Sequence, residues 1–172
     1  MLSLTHMTHP KSLLLGILGL LILAFVAWVL LPLVVNRTGQ DLSPLTPSSA
    51  DTIPVLPDPT LPTPQLKFSG NFEPRAHRAE GLVQIIEAGD SYTLRFEDLD
   101  VLNGPDLKVY LASDETATDF IDLGPLKANR GDLNYVLDGV TVADFADYDT
   151  VLIWCRAFGV LFAAAELQAW PE

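Results

Sequence analysis

A run of 24 residues without a charge, at positions 12–35, constrains the fold of this chain more than any other feature. As an α-helix that rises about 1.5 Å per residue, the run would extend roughly 36 Å and cross a bilayer with some tilt. A cleaved signal peptide is the alternative, but its apolar part normally spans only about 7 to 15 residues. The sequence therefore predicts one transmembrane helix at residues 12–35 that acts as a signal anchor, after a short N-terminal tail at residues 1–11.

The residues that flank this run predict its orientation. Lys11 and the N-terminal amine precede it, Arg37 follows it, and Trp28 has the character of an anchor at the membrane interface. We expect the short N-terminal side to stay inside and the acidic C-terminal part to be exported. The prediction is a single-pass protein of the cell membrane, bound to the lipid bilayer through residues 12–35, with its C-terminal domain outside the cytoplasm.

At residues 36–65 the composition changes to proline, serine, threonine and aspartate. The prolines are at positions 44, 47, 54, 57, 59, 62 and 64. Proline fixes φ and lacks an amide donor, so we expect neither a helix nor a sheet strand in this segment. About 30 residues of polyproline II at roughly 3.1 Å each would reach up to about 90 Å. We interpret the segment as an extended Pro-rich linker, with docking to an aromatic groove as the alternative.

From Leu66 onward, apolar and polar residues alternate with a period of two, and Gly, Pro, Asn and Asp interrupt the pattern at short intervals. This pattern is typical of an antiparallel β-sandwich. It predicts strands at residues 67–72, 82–87, 92–97, 107–112, 134–137, 151–155 and 160–168. Turn residues occur at 88–90, 103–106 and 129–132. The predicted fold class is all-β, with residues 66–172 as one antiparallel β-sandwich.

Two strands near the C-terminus contain the most apolar sequence of this domain. In the first strand, alternation places Val151, Ile153 and Cys155 on one face. It places Leu152 and Trp154 on the opposite face. In the second strand it places four residues on one face, Leu161, Ala163, Ala165 and Leu167. The three consecutive alanines imply the close approach of a bulky group, which is either a neighbouring aromatic side chain or a prosthetic group.

The predicted domain is strongly acidic, with eight Lys and Arg against nineteen Asp and Glu after position 65. Such a charge repels phosphate backbones, so nucleic acid is excluded as a partner. Two acidic groups could supply oxygen ligands to calcium, Glu97, Asp98, Asp100 and Asp106 in one and Asp144, Asp147 and Asp149 in the other. EF-hand spacing is missing from both. Motifs of hydrolases and of nucleotide-dependent enzymes are missing as well.

Cys155 is the only cysteine, so no disulfide can form within the chain. One interpretation is a buried, inert thiol that packs as a small apolar group. The other is a functional thiol, because an unpaired cysteine in an oxidising compartment risks oxidation. His77 lies in a polar stretch where a histidine is more often solvated than bound to a ligand. If folding brings its imidazole beside Cys155, the pair could hold a thiolate or bind a metal.

Three segments, TLRFEDLDVLNGPDLKVYL, LGPLKANRGDLNYVL and VLIWCRAFGVLFAAAEL, together resemble the DM-thirteen electron-transfer domain family. The resemblance extends over about residues 66–168, with the motifs in the family's order. It implies a β-sandwich with a redox activity at the cell surface, acting on proteins or through a bound group such as haem. The family's signature cysteine falls on Cys155, and its recurring histidine falls on His77.

Under this resemblance, Cys155 is a redox thiol or a ligand of haem or another metal, and His77 is its possible partner. One histidine and one cysteine fall short of a structural zinc site, so no separate metal site is predicted. The electron donor would be another chain, a redox partner protein. The sequence thus predicts a membrane-anchored, extracytoplasmic electron-transfer or redox domain. The alternative is a non-catalytic binding or adhesion module for a protein, a glycan or calcium, displayed on a stalk.

Overall fold

A computed structural model describes residues 10–45 and 62–171. Within these residues the chain forms one α-helix, α1, at Pro10–Val34 and a short 3-10 helix at Val142–Ala146. The strands are β1 Thr38–Gln40, β2 Gln65–Asn71, β3 Glu73–Pro74, β4 Ala79–Ala88, β5 Ser91–Val101, β6 Leu107–Ala112, β7 Phe120–Pro125, β8 Arg130–Leu137, β9 Thr150–Cys155, β10 Val160–Glu166 and β11 Gln168–Ala169.

The α1 helix presents apolar side chains to its surroundings. Leu14, Leu20 and Leu23 are each about two thirds exposed or more. Taking only the residues whose side chains the structure describes, we find no helix that is both long and apolar enough to cross a membrane. The transmembrane helix at residues 12–35 therefore stays a prediction, and most of the N-terminal tail lies outside the described residues.

The eleven strands form two sheets that pack face to face, as the sequence predicts for a β-sandwich. The first sheet has the order β1-β8-β5-β4-β2-β11, and the second has the order β3-β10-β9-β6-β7. Neighbouring strands are antiparallel except for β1 and β8, which run parallel. The all-β prediction for the C-terminal part is confirmed.

The hydrophobic core lies between the two sheets and follows the alternation of the strands. In β9, Val151, Ile153 and Cys155 face this core, whereas Leu152 and Trp154 belong to a second, smaller cluster on the outer side. The predicted division of this strand into two apolar faces is therefore confirmed. The core between the sheets covers the inner face of β9, and Tyr110, Ala112 and Ala164 from the neighbouring strands cover Leu152 on the outer face.

The predicted faces of β10 are wrong at its start. Phe162 points into the core between the sheets, and Leu161 packs against the outer cluster instead of sharing a face with Ala163 and Ala165. The cause is a shift in the pairing of β10 with β9 between Leu161 and Ala163, which moves the preceding side chain to the opposite face. Strand β10 also ends at Glu166, two residues earlier than predicted.

Four of the observed strands were not predicted from the sequence: β1, β3, β7 and β11. The first of these corrects the predicted linker, because Thr38–Gln40 pairs with β8. These residues keep their amide donors, since the prolines of the segment begin only at Pro44. The predicted turn at residues 129–132 is wrong from Arg130 onward, where β8 begins. Linker residues 46–61 lie outside the described residues.

The direction of the strands brings several distant segments to one end of the sandwich, which we call the proximal end because α1 joins the domain there. Strands β1, β4, β6, β8 and β10 begin at this end, and β5, β7 and β9 finish there. Residues 102–106, which we call the thiol loop, connect β5 of the first sheet to β6 of the second at this end. Cys155 and His77 both lie at the proximal end.

Candidate functional site

Cys155 is the last residue of β9 and lies opposite Leu107 of β6 and Val160 of β10. Its side chain is fully buried and belongs to the core between the sheets. The sequence places it there because alternation along β9 assigns it to the same face as Val151 and Ile153. The sulfur therefore has mostly apolar surroundings.

The thiol loop covers the sulfur. The thiol of Cys155 donates a hydrogen bond to the carbonyl oxygen of Pro105, with 3.1 Å between the two heavy atoms. Burial raises the pKa of the thiol, and the nearby backbone amides of Phe158 and Ala157 offset part of that rise. The charge of Asp106 adds to the rise. The closed site thus holds a protonated thiol, which is a weak nucleophile.

Arg156 follows Cys155 directly but gives the thiol no positive partner. Its Nε donates to Oδ2 of Asp106 at 2.7 Å, and its backbone amide donates to the carbonyl oxygen of Asp106 at 3.1 Å. Asp106 itself adopts a left-handed backbone with φ of 59°, which is uncommon for a residue other than glycine. Both contacts fasten the end of the thiol loop to the turn between β9 and β10.

His77 lies on the segment between β3 and β4 and is half-buried. Its imidazole packs on the ring of Phe162, with 4.1 Å between the ring centroids and an angle of 57° between the planes. Within the described part of the chain, no hydrogen bond joins the imidazole to the sulfur of Cys155. The structure thus brings the two predicted site residues to the same end without joining them.

Phe162 lies between His77 and Gly104 of the thiol loop. Phe162 is almost fully buried, and a Cβ atom on Gly104 would come within 2.9 Å of its Cζ atom and 3.2 Å of Leu107 Cδ2. Only a glycine therefore lets the loop approach the aromatic ring this closely. The sequence marks Gly104 as a turn residue but gives no signal that Phe162 separates the two site residues.

A pocket of about 320 Å³ opens beside the thiol loop, and neither Cys155 nor His77 lines it. Its lining residues are Val35, Arg37, Asn103, Gly104, Asp106, Leu107, Pro125, Leu126, Ala128 and Asn129. A haem ligated by both Cys155 and His77 does not fit this arrangement, because the sulfur is enclosed and bonded to a carbonyl oxygen. No cluster of three or more His, Cys, Asp or Glu side chains that could hold a metal occurs among residues 10–45 and 62–171.

Several carboxylates that the sequence suggests for calcium have other partners. Asp100 pairs with both Arg78 and Arg130, at 2.6 and 3.3 Å. Asp144 accepts hydrogen bonds from the backbone amide and the hydroxyl of Thr141 at the start of the 3-10 helix, and these bonds lower the pKa of its carboxyl. These carboxylates stabilise the surface of the fold and are not gathered into a cation site.

Asn129 is a central residue of the proximal end that the sequence analysis treats only as part of a turn. Its side chain is almost fully buried and contacts the segment after α1 on one side and the end of β5 on the other. A buried amide with this many partners fixes the segments that it joins. The sequence carries no signal for this role, because the partners of Asn129 are far away along the chain.

A comparison with protein families matches residues 71–167 to the family described as Electron transfer DM13. The match covers more than half of the 172 residues. The chain belongs to the Electron transfer DM13 family. The resemblance noted in the sequence is thereby confirmed, and it supports a redox or electron-transfer role in broad terms. Searches among curated proteins and among solved structures found no significant match.

The matched DM13 region contains both candidate site residues and the thiol loop at the proximal end. It begins at Asn71 and ends at Leu167, so it includes His77, the thiol loop, Cys155 and Phe162. It leaves out α1 and β1, which precede it. The segment that joins the proximal end of the DM13 domain from the N-terminal side is therefore an addition to the matched region.

Proposed function

We propose that this DM13 domain exchanges electrons with a redox partner protein through the thiol of Cys155. The observation that carries the proposal is the position of the only cysteine, at the end of a central strand and beneath the thiol loop. Membership of an electron-transfer family supports a redox role for the domain. Because the chain has one cysteine, the second sulfur of any disulfide must come from the partner.

The proposed step is a thiol–disulfide exchange. The Cys155 thiolate attacks a disulfide of the partner, forms a mixed disulfide and releases one partner sulfur as a thiolate. The Cys155 sulfur is oxidised and the released sulfur is reduced. The thiol proton passes to solvent, because Phe162 separates the sulfur from the imidazole of His77. The thiol loop must open first, because the closed site keeps the sulfur buried and protonated.

We expect the native full-length chain to form one mixed disulfide with glutathione, at Cys155, when it is incubated in a glutathione redox buffer. Mass spectrometry of the intact protein measures the fraction that carries the adduct. Cys155→Ala and Cys155→Ser should form none and should keep the circular dichroism spectrum of the wild type. The serine variant is the closer control, since its hydroxyl can still donate to the carbonyl oxygen of Pro105.

A wild-type chain that forms the adduct only in denaturant would contradict the proposal, because the thiol would then react only in the unfolded state. Unfolding of both variants would instead assign the sulfur to packing in the core. A visible absorption spectrum of the purified chain adds an independent check. An absorption band of haem would indicate that electrons pass through a bound haem and not by thiol exchange.

We further propose that residues 12–35 attach the DM13 domain to a cell membrane, with the domain outside the cytoplasm. The uncharged sequence of this run and the exposure of apolar side chains such as Leu20 and Leu23 support the proposal. In cells that express the chain, the protein should remain in the membrane pellet after alkaline carbonate extraction. Protease added to intact cells should digest the domain. A variant with Leu20→Arg and Leu21→Arg should move to the supernatant, whereas recovery of the wild type there would refute the attachment.

A non-catalytic binding module is the second candidate function. Two observations favour it: the enclosed, protonated thiol of Cys155 and a polar pocket of about 340 Å³ lined by residues of β2, β3 and β10. In that pocket Arg75 forms ion pairs with Glu73 and Glu115. Charged side chains of this kind suit a hydroxylated or charged ligand. An unreactive thiol in the glutathione experiment would favour this function over electron exchange.

A further inference from the structure

Residues 36–42, which we call the strap, are hydrogen-bonded to the domain at both ends and in the middle. In the middle, β1 adds to the edge of the first sheet beside β8. At the far end, the amide of Asp41 donates to the carbonyl oxygen of Asp132, and its carboxylate accepts from the amide of Asn134. The carbonyl oxygen of Leu42 accepts from the side chain of Asn134 at 2.8 Å. The strap is therefore part of the folded domain.

The strap also covers a buried charge. Arg95 of β5 is only 3% exposed, and its Nη1 donates to the carbonyl oxygen of Asp41 at 3.0 Å. Ion pairs with Glu97 and Asp132 and a hydrogen bond to Asn134 satisfy the rest of the guanidinium. A buried guanidinium is tolerated only with such partners. The carbonyl oxygen from the strap completes the set.

Two glycines let the strap approach β8 closely. A Cβ atom on Gly39 would clash with Cδ2 of Leu133 and would come within 3.1 Å of the carbonyl oxygen of Asp132. On the facing strand, a Cβ atom on Gly131 would clash with the carbonyl oxygen of Gly39. Gly131 also has a φ of 90°, which side chains rarely allow. A larger residue at position 39 should therefore push the strap away from the sheet.

The near end of the strap shares its hydrogen bonds with the thiol loop through Asn129. The side-chain oxygen of Asn129 accepts from the amide of Arg37 at 2.7 Å, and its side-chain nitrogen donates to Asn36 and to the carbonyl oxygen of Val101. Val101 is the last residue before the thiol loop. Within that loop, Asn103 donates to the carbonyl oxygen of Val35. The segment after α1 and the loop over Cys155 are thus held by the same bonds.

From these contacts we propose that the strap acts as a latch that controls access to Cys155. The docked strap keeps the thiol loop closed over Cys155, and undocking of the strap makes the thiol reactive. Undocking of the strap removes Asn36 and Arg37 from Asn129 and displaces the adjoining Val35, which is the partner of Asn103, so the loop opens more often. The proposal deepens the proposed function. It rests on that function only for the redox chemistry of Cys155 after the thiol has become exposed. The access control itself is independent of any redox partner.

The test compares Gly39→Val with Gln40→Val in the full-length chain. Gln40 lies in the same strand with an exposed side chain, so the second variant makes the same kind of change without the clash. The rate of Cys155 alkylation by iodoacetamide under native conditions should rise at least about tenfold in Gly39→Val, because local opening becomes more frequent. Gln40→Val should stay close to the wild type. Hydrogen exchange at the amide of Asn134, which the strap protects, reports whether the strap has left.

Each outcome decides the proposal. Faster alkylation together with lost protection at Asn134 supports it. Lost protection with an unchanged alkylation rate refutes it, since the loop would then stay closed without the strap. Faster alkylation with retained protection at Asn134 also refutes it, because the loop would then open while the strap stays docked. The glutathione experiment is separate: if Cys155 forms no mixed disulfide but Gly39→Val accelerates alkylation, the latch stands and the redox function fails.

Discussion

Replacing Phe162 by alanine is expected to lower the free energy of unfolding by about 3 to 5 kcal/mol, the usual cost of removing a buried aromatic ring. Phe162 is almost fully buried between His77 and Gly104 and belongs to the main core. Denaturation by urea, followed by circular dichroism, measures the change. Phe158→Ala is the matched control, because Phe158 lies in the neighbouring turn, is 61% exposed and should change stability by less than about 0.5 kcal/mol.

The same substitution should also loosen the proximal site. Without the ring, His77 loses its packing partner and the thiol loop loses the surface on which Gly104 rests. Alkylation of Cys155 under native conditions should therefore be faster in Phe162→Ala than in Phe158→Ala. A loss of stability similar to that of the control would show that this end of the core repacks without the ring. The inference that the ring of Phe162 holds His77 and the thiol loop apart would then be wrong.

Replacing Arg95 by methionine is expected to lower the free energy of unfolding by about 3 kcal/mol, near the lower end for breaking a buried charge network. The change leaves Glu97 and Asp132 without their cation and the carbonyl oxygen of Asp41 without its donor. We take the lower end because both carboxylates are about one third exposed and can be hydrated again. Urea denaturation again measures the change.

Arg130→Met is the matched control for Arg95→Met. Arg130 also pairs with an aspartate, Asp100, but its side chain is 46% exposed, so its loss should cost at most about 1 kcal/mol. Hydrogen exchange adds a second readout, because Arg95→Met should weaken the protection of the Asp41 amide in the strap. Equal effects of the two substitutions would mean that the burial of Arg95 contributes nothing to the fold.

Much of the sandwich could be predicted from the sequence because local alternation decides which side chains are buried. The strand at Leu107–Ala112 was predicted with its observed bounds, and the two faces of β9 followed from the alternation of Val151 to Cys155. The start of β10 was not predictable in this way. A bulge between Leu161 and Ala163 depends on how two strands pair, and the pattern of one strand does not report it.

The candidate site was only partly predictable for a similar reason. Cys155 and His77 could be selected by residue type and by resemblance, but their separation by Phe162 depends on packing between distant segments. The strap was missed because Thr38–Gln40 has no apolar alternation. It is held mainly by backbone bonds and by polar residues more than 90 positions away, such as Asn129. Contacts of this kind leave no periodic signal in the sequence.

The attachment of β1 changes what the Pro-rich segment can do mechanically. The segment leaves from the edge of the first sheet after β1 and returns to the same sheet at β2, where Pro62 lies beside Gly89. Four strand spacings separate these two points, about 19 Å. Extra length there would enlarge a side loop without moving the domain away from α1. The spacer between α1 and β1 is residues 35–37, at most about 10 Å of chain. A redox partner of the proposed kind would therefore meet the domain next to the end of the helix and not at a distance from it.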